Sequence, residues 1–174
     1  MKKHAKLIAD LLTQARMILG LAIAGLGALR GRDALPQVVV AVIVSWITDF
    51  LDGPLARSAP DQPQTWTGKH DAEAELATSC GLGLYLVFSR YVAAWIGLGV
   101  LLLTLVLWFF HSRAFGWPFY AVPYTLLIAT ALRLVPLLGW ALIAYLLVAL
   151  VLRYQRVKEE YLPEFFDAVR NLSV

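Results

Sequence analysis

The stretch Asp49-Phe50-Leu51-Asp52-Gly53-Pro54-Leu55-Ala56-Arg57, continued after a polar gap by Asp71-Ala72-Glu73-Ala74-Glu75, decides how this chain is read. It follows a nearly unbroken apolar run from Val38 to Thr48. On a helix, Asp49 and Asp52 stand three apart and Asp71 and Glu75 four apart, so each pair projects from a single face. Two such faces turned toward each other form a cup of four carboxylates. Acids in or beside apolar helices are costly unless paired, hydrated or metal-bound. The cup therefore calls for a compensating cation, and a hard divalent ion such as Mg²⁺ suits an all-oxygen site.

Outward from that stretch, the composition is that of a polytopic membrane protein. The 174 residues are 60% hydrophobic, with a mean hydropathy of +0.68. Apolar runs recur along the whole length, which predicts one membrane domain over residues 1–174. A net charge of +3 and a pI near 9.1 fit a basic surface facing membrane lipids. Nucleic acid is excluded as the partner, because no dense Lys/Arg stretch is interleaved with exposed aromatics. Cys80 is the single cysteine, so no intramolecular disulfide forms.

The hydrophobic pattern predicts an all-α chain with six transmembrane helices. The first covers Leu7 to Leu29, and Pro36 opens the second at a position proline tolerates. Pro54 predicts a kink or helix end near Asp52 and Gly53. The third helix runs from Lys69 to about Ser89, where Arg90 marks its end, and the fourth from Tyr91 to Phe110. A loop over His111 to Pro118 precedes the fifth, Phe119 to Val135; the sixth is Leu137 to Leu152, reached by a tight hairpin at Pro136 and Gly139. Residues 158–173 carry Tyr161, Phe165, Phe166 and Val169 for an interfacial helix. Six spans place both termini on one side, with Lys2, Lys3, Lys6, Arg57, Lys69, Arg113, Arg153, Arg156 and Lys158, against Arg30, Arg32 and Arg90 opposite. The positive-inside rule makes the first side cytoplasmic, and the carboxylate cavity opens there.

These residues carry a family resemblance. The stretch resembles the D-x-x-D-G-x-x-A-R … G-x-x-x-D-x-x-x-D motif of the CDP-alcohol phosphatidyltransferases, membrane enzymes of phospholipid synthesis. Asp49, Asp52, Gly53, Ala56 and Arg57 match residue for residue, and Asp71 follows at an allowed spacing. The glycine before the third acid stands one residue late, at Gly68, and the fourth acid is Glu75 rather than aspartate. The motif covers about a sixth of the chain. Leu11-Leu12-Thr13-Gln14-Ala15-Arg16 is also similar to a segment at the start of the family's first helix.

The resemblance implies transfer of a phosphatidyl-type group from a CDP-linked donor, CDP-diacylglycerol above all, to an alcohol, with release of CMP. It implies two Mg²⁺ or Mn²⁺ ions held by Asp49, Asp52, Asp71 and Glu75, with Glu75 also the general base. CDP would lie on Asp49, Asp52, Gly53, Ala56 and Arg57, in a homodimer of the bacterial-type inner or plasma membrane. The small residues let a nucleotide lie against the helix, and a guanidinium suits a phosphate oxygen. One extra methylene at Glu75 bears on the base role more than the ligand role. A non-catalytic or slow CDP-lipid-binding relative is therefore one alternative, and a divalent-cation carrier is another.

Two arginines lie in apolar surroundings. Arg16 reaches a phosphate in the cavity or pairs with Asp10 or another acid. Arg133 is a candidate for an acceptor or lipid phosphate, with snorkelling to the opposite surface near Pro136 as its bland reading. Lys69 and His70 read as solvated, and His4 and His111 as interfacial. Trp66, Trp95, Trp108, Trp117 and Trp140 read as belt or packing aromatics. Gly20, Gly25, Gly27, Gly81, Gly83, Gly97 and Gly99 read as helix-contact residues.

Overall fold

The computed structural model describes residues 2–57, 71–110, 113–154, 158–159 and 163. Among these residues there are six long α-helices and no strand: α1 (Lys2–Arg30), α2 (Leu35–Arg57), α3 (Asp71–Phe88), α4 (Ala94–Phe110), α5 (Arg113–Leu134) and α6 (Pro136–Leu152). A 3₁₀ turn, Gly31–Ala34, joins α1 to α2. The interfacial helix expected over 158–173 lies outside the described residues, apart from 158, 159 and 163.

Helix ends follow from local chemistry. Gly31 at φ +55° takes the left-handed conformation that stops α1. Arg90 does the same for α3 at φ +54°, its N–H donating to the Val87 carbonyl (3.0 Å) while that of Tyr91 reaches back to Leu86 (3.0 Å). Arg32 covers the neighbouring carbonyls, donating from Nε to Ser89 O and from Nη2 to Arg90 O (both 3.1 Å), and its guanidinium lies 5.3 Å from the Tyr91 ring centre. A side chain in the left-handed region is strained by about 1 kcal/mol. Arg90→Gly is therefore expected to stabilise the protein by about 0.5–1 kcal/mol, read as a higher unfolding temperature; an unchanged or lower one contradicts the strain argument.

Packing is tightest between α1 and α3, which run parallel. A Cβ at Gly81 would sit 2.0 Å from the Gly20 carbonyl oxygen, and one at Gly27 2.8 Å from the Tyr85 Cα. Small residues at these crossings let the backbones touch, as membrane helices require when lipid offers no hydrophobic gain for association. Gly83 and Gly97 meet Leu101 and Val87 across α3 and α4, and Gly139 meets the Leu132 backbone across the α5–α6 hairpin. Gly25 and Gly99 face open space and make no such contact. The core is built from Ile23, Leu35, Val38, Val39, Val42, Leu82, Tyr85, Leu86, Leu127, Ala131 and Leu142.

Many large apolar side chains lie on the exterior: Leu21, Leu29, Trp95, Leu102, Leu137, Trp140 and Val151 are all exposed. Trp66 and the side chains of Trp108 and Trp117 lie outside the described residues. One continuous helical stretch among the described residues, Asp10–Leu51 (42 residues), is long and apolar enough to cross a membrane. It runs through the turn from α1 into α2. Ala94–Val106, Tyr120–Leu134 and Pro136–Leu152 are apolar but shorter.

Two boundaries differ from those expected. Arg113 to Pro118, expected as part of a loop, is helical and belongs to α5; His111 and Ser112 lie outside the described residues. Pro118 costs a single helical bond near the start of that helix. Nor does α2 end at Asp52 or Gly53; it continues through Pro54 to Arg57.

Candidate functional site

The last turns of α2 carry the acids. The apolar run from Val38 brings that helix to Asp49 with Ser45 buried, and Thr48 Oγ1 donates back to Ser45 O at 2.8 Å. Asp49 is held from two sides. Arg16 of α1, its side chain only 3% exposed, donates from Nη1 to Asp49 Oδ1. Arg153, at the C-terminal end of α6, places Nη1 3.5 Å from Asp49 Oδ2. The carboxylate keeps 42% of its side chain exposed, so one side remains open. Of the two sequence readings of Arg16, the pairing with an acid is the one observed, and that acid is Asp49.

One turn before Asp49, the Trp46 ring lies 5.5 Å from both Tyr124 of α5 and Tyr145 of α6, centre to centre. Tyr145 Oη donates to the Trp46 carbonyl at 2.6 Å, which ties α6 to α2. Three further bonds fix the frame. Thr78 Oγ1 donates to Arg16 O (3.3 Å) and Ala74 O (3.0 Å), and Ser79 Oγ donates to Tyr120 O (3.2 Å). Glu75, one turn before Thr78, is exposed.

Asp52, Gly53, Ala56 and Arg57 follow Asp49 along the same helix, and Asp71 is the first residue of α3. Their side chains, and all of Lys69, His70 and His111, lie outside the described residues, as does the side chain of His4. Arg133 is not brought to Asp49. It is exposed in the last turn of α5, nine residues past Tyr124, or about 14 Å along the helix axis. Among the described residues no three His, Cys, Asp or Glu side chains gather at one point.

Trp46, Tyr124, Tyr145 and Arg153 are site residues that the sequence reading missed. Trp46 carried a signal, standing three before Asp49 and hence on its face. Arg153 read only as one of the basic residues on the side of the two termini. No family model, no curated protein and no solved structure matches the chain.

Proposed function

We propose that this chain is a six-span membrane enzyme that transfers a phosphatidyl-type group from CDP-diacylglycerol, or a related CDP-lipid, to an alcohol, releasing CMP. The observation that carries the reading is the D-x-x-D-G-x-x-A-R spacing from Asp49 to Arg57 on one continuous helix, with Arg16 and Arg153 converging on Asp49. The topology has support of its own. Arg32 bonds the chain at Arg90 and Arg153 bonds it at Asp49, as alternating helices with both termini on one side require. At 17 residues each, α4 and α6 sit at the short end of the range that crosses a bilayer. The motif end is the cytoplasmic one by its positive charge, and the homodimer is carried over from the family resemblance alone.

The donor set fits a hard divalent ion in chemical type, since every candidate ligand is a carboxylate. Asp49, Asp52, Asp71 and Glu75 would hold Mg²⁺ or Mn²⁺, which when bound supplies positive charge against the diphosphate. The chain's own residues do the rest. Gly53 and Ala56 leave room for the nucleotide along α2, and Arg57 meets a phosphate oxygen. Glu75 takes the proton of the acceptor hydroxyl as its oxygen bonds to the lipid-bearing phosphorus and the bond to CMP breaks. Arg16 and Arg153 hold the Asp49 carboxylate in place from two sides.

The test is direct. Purified protein incubated with CDP-diacylglycerol, Mg²⁺ and a panel of alcohols should release CMP with at least one of them. Binding of CDP-lipid without CMP release would make the chain a non-catalytic relative. Metal flux into vesicles without nucleotide would make it a carrier.

A further inference from the structure

We propose that Arg153 is a positioning residue that splints α2 across its own proline and thereby fixes Asp49. In an α-helix the carbonyl of residue 50 accepts from the N–H of residue 54, and proline has none. Pro54 therefore leaves the Phe50 carbonyl without its helical donor. Arg153 Nη2 lies 3.3 Å from that oxygen and 3.3 Å from the Asp49 carbonyl beside it. Its Nη1 lies 3.5 Å from Asp49 Oδ2, and its guanidinium sits 4.7 Å from the centre of the Phe50 ring. One planar group thus serves the orphaned carbonyl, its neighbour, the carboxylate and the ring on both residues above the break.

Lysine has no such fork. Arg153 is anchored for the task, because it closes α6 with its own N–H donating to Ala149 O at 2.9 Å. This accounts for the helix running on to Arg57 where the sequence predicts a kink or an end. Asp52, Gly53 and Ala56 then share one helical frame with Asp49.

The inference relies on the proposed enzyme only for the use to which Asp49 is put; the splint is a property of the backbone. The simpler reading, that Arg153 is a counter-ion for Asp49, predicts no interaction with Pro54. A double-mutant experiment separates them. In full-length protein in lipid nanodiscs, Arg153→Gln should speed amide hydrogen exchange across residues 51–57 by about ten- to a hundredfold. Adding Pro54→Ala, which restores an N–H to the Phe50 carbonyl, should return exchange to within about threefold of wild type. Arg153→Lys keeps a cation beside Asp49 and should still loosen the segment. Unchanged exchange in Arg153→Gln, or no recovery with Pro54→Ala, overturns the proposal.

If Arg153→Gln fails to accumulate as folded protein, recovery of folded yield in the double variant supports the splint, and failure to recover overturns it. Wild-type protein that shows this exchange pattern but releases no CMP keeps the splint and removes the enzyme.

Discussion

On the proposed function, Asp49→Asn is expected to abolish CMP release, by at least about a thousandfold, and to lower the stability of the fold as well. Activity falls because the amide lacks the charge that a hard divalent ion needs and offers one oxygen acceptor where the carboxylate offers two. Asp52→Asn, one turn further along α2, should lose release to the same degree by the same argument. Stability falls because Arg16 is almost wholly buried and keeps its charge after the substitution. Removing one partner of a fully buried ion pair costs about 3–5 kcal/mol. Asp49 is 42% exposed, so water screens part of the loss and about 2 kcal/mol is expected. CMP assay and thermal unfolding of the same preparation check both parts. Retained release would remove Asp49 from the metal site; unchanged stability would show that the pair with Arg16 does not hold the helices together.

Gly81→Leu leaves no folded protein to purify. The new Cβ would stand 2.0 Å from the Gly20 carbonyl oxygen and 2.7 Å from its carbon. Both are backbone atoms of a continuous helix, so no rotamer change relieves the clash and α1 must move away from α3. That movement breaks the bond from Thr78 to the Arg16 carbonyl and the matching contact at Gly27, where a Cβ would already be 2.8 Å from Tyr85. Overpacking of a closed core costs about 1–3 kcal/mol, and more where the obstacle is backbone. Gly99→Leu is the control, because nothing lies within 4 Å of a Cβ there. Size-exclusion profiles of the two variants after detergent extraction decide the point; a wild-type yield for Gly81→Leu contradicts the packing described.

Legibility followed the range of the interaction. Helix identity rests on apolar runs and local punctuation, so Pro36, Arg90 and Pro136 marked ends that the structure keeps within a few residues. Pro118 misled, because a proline six residues into a helix and one in a loop look alike to a reader who sees only neighbours. Pro54 misled for a different reason: the group that answers it, Arg153, is about a hundred residues away in sequence. The candidate site divides the same way. Asp49 and Glu75 were found from spacing, whereas the convergence of Trp46, Tyr124 and Tyr145 is a product of three helices meeting and leaves no local trace.

The direct contact between α1 and α3 also settles which parts of the bundle can yield. Arg16 and Glu75 ride on a pillar whose two halves touch backbone to backbone at Gly20 and Gly81. Asp49 rides on a helix held to its neighbours by ring faces, a tyrosine hydroxyl and two guanidiniums, one of them the pillar's own Arg16. A guest beside Asp49 that displaces α2 has to break that pair first.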